Sequence, residues 1–322
     1  MKNLTIVEAI NLLTNNEIVA IPTETVYGLA ADARSDIAIS KIFQAKGRPA
    51  DNPLIVHIGD VTQIDDLVID VSEDARLLMA HFWPGPLTII LKNSGIVSKL
   101  VTAGLTTIAL RIPDHEVALE LLRTSNIPLA APSANVSGKP SPTSAKHVKY
   151  DMKERIAGVI DGGICHIGLE STVIDMTLDV PVILRPGRIS KKAIESVIGH
   201  VDLSDSSSVK PKAPGMKYAH YSPDAEVYIV KGSVEYFLKI ILEFKAKNLK
   251  IGVLCLNKKK GNYELANVVT EIDEKGKDLY SALRKFDATG VDVVLCELFG
   301  DVAVMNRLFK ASKERILSEI QN

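Results

Sequence analysis

Cysteine is scarce: the 322 residues hold three, Cys165, Cys255 and Cys296. They are scattered, odd in number and never spaced as CxxC. That excludes a disulfide framework and the paired-thiol zinc and redox motifs, and it fits a reducing, cytoplasmic setting. Charge of either sign scarcely prevails, the formal net charge being −1. No global basic field is available to grip nucleic acid, so any RNA contact is expected to be local and weak, or absent. No run approaches the roughly 18–20 apolar residues of a membrane span. The opening MKNLTIVEAI lacks a basic stretch followed by a long apolar core, so neither a membrane anchor nor a signal peptide is expected. Also missing are GxxxxGK[ST], GxGxxG after a strand, GxSxG and HExxH, which argues against a phosphate-cradling P-loop, a serine-hydrolase elbow and a zinc-protease helix.

What is present is ordinary globular composition, 46% hydrophobic and 24% charged, enough for one large domain or two. Up to about residue 190, short runs rich in Val, Ile and Thr alternate with helical patterns. Strands are expected at 17–22, 53–58, 87–92, 106–113, 127–134, 158–163, 171–176 and 182–187. Helices are expected near 5–15, 36–46, 72–82, 114–124 and 143–150, with Asp36 and Asp114 as N-caps of two of them. From about 201 the periodicity fades into DLSDSSSVKPKAPGMKYAHYSPDAE, a linker by composition. Its middle, APGMKYAHYSP, is too aromatic for a bare spacer and is expected to pack on something. After 225 a strand–helix alternation returns, which predicts a small α/β domain with a parallel sheet. KKK at 258–260 fits a solvated turn better than a binding patch.

Four stretches could carry chemistry. PTETVYG (22–28) leaves a strand with two hydroxyls, a carboxylate and a tyrosine, which could equally serve an ordinary turn. In KIFQAKGRPADNPLIVHI (41–58), Ile39, Ile42 and Phe43 share a helix face that Lys46 extends. Gly47 suits the C′ position and Pro49 stops the helix. That explains the break but not Arg48 and His57, and two cations with a histidine around one turn suggest an anion site. APSANVSGKPSPT (131–143) delivers Ser133 and Asn135 into a loop carrying Ser137, Lys139, Ser141 and Thr143, suited to phosphate or merely solvated. In GLESTVID and LRPGR, Ser171 opens one strand and Arg185 ends another. Arg111 in ALRIP has the same strand-end position.

Together these stretches closely resemble one family. PTETVYGL, KIFQAKGRPxxNPLIVHI, WPGPLTIIL, TAGLTTIALRIP, APSANxSGxPSPT, DGGxxxxGLESTVID, LRPG and APGMKYxHYSP occur in order. They look like threonylcarbamoyl-AMP synthases in the long form, densely over the first 190 residues and more loosely over the last hundred. The resemblance implies an α/β fold: a YrdC-like twisted sheet with flanking helices and a concave cavity over residues 1–200. It also implies a linker or lid at 201–224 and a small Rossmann-like domain at 225–322. The implied reaction joins L-threonine, bicarbonate (or CO2) and ATP, with Mg2+, into L-threonylcarbamoyl-AMP and pyrophosphate. A separate tRNA threonylcarbamoyl transferase complex would then act on the adenosine beside the anticodon.

Carried over by motif, the nucleotide side comprises Lys46, Arg48, Asn52, Thr107, Ser133, Asn135, Ser141, Arg185 and Tyr218, of which Lys46 and Arg48 would be catalytic. The threonine side comprises Thr25 (with Thr23 two residues away as the alternative), His57, Arg111, the backbone at Ala131, and Ser171. No metal ligand is implied, Mg2+ being held by the phosphates. The rival readings are a hydrogenase-maturation carbamoyltransferase, which would carry CxxC fingers, and an RNA-binding or nucleotide-sensing module without turnover. The near-neutral charge weighs against strong RNA binding.

Overall fold

The computed structural model describes residues 1–204 and 221–319. Of these, 1–137 and 141–204 form one compact unit, and 138–140 with 221–319 form another. Tyr218 and most of the expected lid lie outside the described residues.

In the first unit the strands are β1 (Lys2–Asn3), β2 (Val19–Ile21), β3 (Gly28–Asp32), β4 (Ile55–His57), β5 (Leu87–Lys92), β6 (Thr107–Arg111), β7 (Leu129–Ala130), β8 (Gly158–Val159), β9 (Thr172–Asp175), β10 (Val182–Arg185) and β11 (Asp202–Leu203). They join one mixed sheet in the order β1-β8-β2-β3-β7-β4-β6-β5-β9-β10-β11. All eight expected strands are present, several shorter than their apolar runs. β1, β3 and β11 were not anticipated. The two-residue strands are too short to show a pattern, and GLAAD of β3 is too rich in Gly and Ala to read as a strand.

Helix Asp36–Lys46 matches its sequence expectation, but its N-cap is Ser35, whose hydroxyl accepts from the Ala38 amide. Asp36 is instead the first helical residue, where its negative charge still favours the N-terminus, and its carboxylate accepts from the Ser98 hydroxyl. Asp114 is likewise not a cap. Helix Glu116–Ser125 begins after His115, which makes no side-chain capping bond. Gly47 closes the Asp36–Lys46 helix at φ 60°, the left-handed region that glycine enters without strain.

Side chains of a strand alternate between two faces. Val56, Ile89, Leu110 and Ile174 point into the main core beneath the helices. Ile55, Ile90, Ala109 and Val173 form a small separate cluster on the other face. By the same alternation His57, Thr88, Thr107 and Arg111 lie on that other face, and Ser171, one residue before β9, continues it. A β-bulge extends the set. Ile183 pairs with Ile174, yet Arg185 pairs with Val173, because the register shifts between them. The extra residue turns Arg185 away from the core to the face of Val173.

The second unit is a wholly parallel sheet, as its alternation implied. Its strands are β12 (Glu226–Lys231), β13 (Ile251–Leu256), β14 (Val268–Ile272), β15 (Val293–Cys296) and β16 (Ile316–Ser318), in the order β14-β13-β15-β12-β16. Of the KKK turn, Lys259 meets Glu297 at 3.3 Å, and Glu297 also accepts from Tyr263.

Gly187 carries the tightest backbone approach of the LRPG stretch. A Cβ there would lie 2.3 Å from the Thr172 amide nitrogen and 2.6 Å from the Ser171 carbonyl carbon, so the chains must separate. Gly187→Ala is expected to cost about 1–3 kcal/mol, the range of an overpacked site. Thermal unfolding at equal pH measures it, and an unchanged Tm would show that β9 and β10 can part freely.

Candidate functional site

The helix that ends at Lys46 drives this side chain under the 131–137 loop, because Ile39, Ile42 and Phe43 commit its face to the core. Lys46 is 2% exposed. Its ammonium donates to the Ser133 carbonyl and, at 2.7 Å, to the Asn135 carbonyl. The Ser137 amide in turn donates to the Lys46 carbonyl at 2.9 Å, so helix end and loop are tied at two levels. Burial first, and the neighbouring Arg48 second, hold the Lys46 pKa well below its usual range. Two of the three ammonium N–H bonds are spoken for, and the third remains for a ligand. Arg48 donates to the Asn52 carbonyl at 3.1 Å. The Asn52 side chain is fully buried with neither polar atom hydrogen-bonded. A buried amide with no partner is uncommon and points to a site completed by something else.

A second cluster centres on Arg111, 3% exposed. Its Nε donates to the Gly85 carbonyl at 3.1 Å and its NH1 to the Thr25 hydroxyl at 2.9 Å, while NH2 lies 2.5 Å from Glu24 Oε1. Of the two candidate threonines, Thr25 is thus the one that meets Arg111. Thr23 instead closes the turn, accepting from the Thr25 and Val26 amides and donating to the Val26 carbonyl. His57 sits opposite Arg111 in the β4–β6 pairing. It is 3% exposed and its Nδ1 has no hydrogen bond. Burial first, and Arg111 second, lower its pKa to about 3, so the ring is neutral at physiological pH.

A third cluster joins Ser171 to Thr88 at 2.7 Å and to Arg185, whose Nε and NH2 reach the Ser171 carbonyl and hydroxyl at 3.0 and 3.1 Å. Ser141 donates to Glu170 at 2.5 Å. Asn135 bonds the Val136 carbonyl. Thr107 opens β6 on the same face as Arg111. The Ala131 amide is engaged by the Ile55 carbonyl at 2.9 Å, so its backbone could offer a ligand only the carbonyl oxygen. Lys139 lies on the 138–140 excursion that groups with the second unit and is not among these clusters.

Glu24, Thr88, Glu170 and Gly85 were not singled out in the sequence as site residues. Glu24 was visible inside PTETVYG, but nothing in its spacing paired it with a residue 87 positions later. Thr88 could have been found by counting two residues back from Ile90 on the polar face.

One face of the mixed sheet lies in the core and buried cations and hydroxyls line the other. Comparison with known proteins gives the class. The family model described as "Telomere recombination", covering Sua5, YciO and YrdC, matches residues 11–187. The model "Threonylcarbamoyl-AMP synthase, C-terminal domain" matches residues 189–313. Threonylcarbamoyl-AMP synthase of Bacillus subtilis (strain 168) is 50% identical over 326 residues, covering 97% of this chain and 94% of that one. The namesake from Pyrococcus abyssi is 46% identical over 324 residues, covering 96% and 94%. The crystal structure of P. abyssi Sua5 complexed with L-threonine superposes with a TM-score of 0.92 at 45% identity, over 99% of this chain and 98% of that one. The chain belongs to the threonylcarbamoyl-AMP synthase family, in its two-domain form.

The lowered pKa of His57 has a direct consequence. The unfolded chain takes up this proton near 6.5, the folded chain only near about 3. Acidification through that window therefore favours the unfolded chain, by at most about 1.4 kcal/mol per pH unit. NMR of the His57 ring carbons is expected to show a neutral imidazole from pH 8 down to pH 5. A titration midpoint between 6 and 7 would contradict the sealed environment.

Proposed function

We propose that the described clusters bind ATP and L-threonine for the synthesis of L-threonylcarbamoyl-AMP, with release of pyrophosphate. The observation that carries this reading is the burial of Lys46, Arg111 and Arg185, at 2%, 3% and 4% exposure, around hydroxyls and unpartnered polar atoms. Buried cations with N–H donors to spare, as at Lys46 and Arg111, favour anionic ligands. Lys46, Arg48, Asn52, Thr107, Ser133, Asn135, Ser141 and Arg185 take the nucleotide in this reading, and Tyr218 completes that side. Thr25, His57, Arg111, the Ala131 backbone and Ser171 take threonine. The relative with bound L-threonine supports the second assignment. Residues 1–200 form the catalytic domain, 201–224 a lid, and 225–322 an accessory domain.

The chemistry follows from balance. The threonine ammonium gives up a proton, and bicarbonate takes up a proton and leaves as CO2 and water. The free amine attacks the CO2 carbon, losing its second proton to solvent as the carbamate forms. A carbamate oxygen then attacks the α-phosphorus of ATP as the bond to the β-phosphate oxygen breaks and pyrophosphate leaves. No covalent enzyme intermediate is needed. Cys165, the one thiol of this unit, is buried and its pKa is pushed up to about 12, chiefly by burial, so it is no nucleophile. The protein contributes position and charge. An arriving polyphosphate stabilises the Lys46 ammonium against the burial that lowers its pKa. The divalent cation arrives with the substrate as MgATP. Among the described residues no three His, Cys, Asp or Glu gather to hold one separately, and its role is to neutralise phosphate charge. A downstream tRNA-modifying transferase would consume the labile product in the cytoplasm. Among the described residues no helix is long and apolar enough to cross a membrane.

Pyrophosphate release tests the reading when threonine and bicarbonate are each withheld in turn. Release is expected only with both present. Lys46→Met and Arg48→Ala are expected to fold and to lose about 100-fold or more of it. Turnover without threonine, or wild-type turnover in both variants, would overturn the assignment.

A further inference from the structure

Glu24 is a fully buried carboxylate against Arg111, the cation of the proposed threonine side, and the reaction outlined above gives it no task. We propose that Glu24 is a positioning residue: it fixes the Arg111 guanidinium in the attitude that receives the α-carboxylate of the amino-acid substrate. This rests on the reading of Arg111 as a threonine-binding residue.

Three observations converge on it. First, the donor tally of Arg111 is lean. A guanidinium has five N–H bonds. Gly85 and Thr25 take one N–H each from Nε and NH1, while NH2 faces Glu24 Oε1 at 2.5 Å as an ion pair and makes no hydrogen bond, which leaves N–H donors for a ligand. Second, the ion pair is sealed but incomplete. Glu24 is 0% and Arg111 3% exposed, and neither Glu24 oxygen makes a hydrogen bond, Oε1 meeting Arg111 NH2 only as an ion pair. An ion pair kept only for stability is normally surrounded by donors that satisfy both oxygens. Third, Glu24 and Thr25 are consecutive, so one short turn supplies two of the three anchors of Arg111. That turn is rigid. Thr23 ties its amides and the Val26 carbonyl together, and the Ile167 amide holds the Glu24 carbonyl at 2.8 Å.

Charge makes the arrangement necessary. Between turnovers the site holds no substrate carboxylate, and Arg111 would otherwise be an unpaired cation away from water. His57 opposite it carries no negative charge in either protonation state and cannot stand in. Glu24 keeps the guanidinium compensated and aimed, so the substrate meets a preset fork and loses less freedom on binding. The nucleotide clusters around Lys46 and Arg185 share none of these bonds.

The test uses the full-length chain. Glu24→Gln keeps the shape and removes the charge. It is expected to raise the L-threonine Kd by about 30-fold or more, the usual consequence of breaking a buried charge pair. The Kd for ATP should stay within about twofold, and Glu24→Asp should recover part of the threonine loss. A merely structural pair would instead lower Tm and affect both ligands alike, or neither. Wild-type threonine affinity in folded Glu24→Gln, together with loss in Arg111→Met, would overturn the proposal alone. Wild-type threonine affinity in Arg111→Met would overturn the reading on which it rests. Should Glu24→Gln fail to fold, Glu24→Asp carries the test, and unaltered threonine affinity in it is the contrary result.

Discussion

Successive side chains of a β-strand leave on opposite sides, and this site depends on that constraint. In β4, β5, β6 and β9, one residue in two goes to the helices and the core. The intervening ones go to a face that is apolar only at Ile55, Ile90, Ala109 and Val173. The polar residues of that face are His57, Thr88, Lys92, Thr107, Arg111 and Asp175, with Ser171 just before β9. A one-residue slip of any of these strands would bury its polar set in the core and expose its apolar set, so the register that makes the fold also makes the site. Arg185 is the exception that needed a bulge to join them.

The second constraint is the cost of burying charge. Lys46, Arg111 and Arg185 are nearly sealed, and the fold offsets this in three different ways. Lys46 is capped by two carbonyls of the 133–135 loop, Arg185 by both oxygens of Ser171, and Arg111 by a carboxylate, a hydroxyl and a carbonyl. None of these sets exhausts the donors of Lys46 or Arg111. The unpartnered atoms of Asn52, His57 and Glu24 lie in the same clusters or on the same chain segments. Such a surface is costly when empty and gains on binding anions, which suits a reaction whose substrates are a polyphosphate and a carboxylate.

Much of this was legible in the sequence, and the reasons differ by residue. The Lys46 helix could be read because an apolar stripe, a C′ glycine and a proline all fix the same end. The central strands could be read because Val, Ile and Thr runs were bounded by breakers. The N-caps were misplaced because Asp serves both as a cap and as a first-turn residue, and Ser35 stands just before Asp36. β3 was missed because Gly and Ala give no strand signal. Arg185 could be suspected at a strand end, but its bulge is a register event between two strands and leaves no trace in one of them. The Glu24–Arg111 pair joins residues far apart in the chain, and only the sheet brings them together.

The account stands or falls on where the carbon of bicarbonate goes. The direct measurement is mass spectrometry of the AMP-linked product made from ATP, L-threonine and 13C-bicarbonate. The account predicts an adenylate heavier by one mass unit, with the label lost on decarboxylation. An unlabelled threonyl-adenylate, or free AMP with no amino-acid adduct, would contradict it.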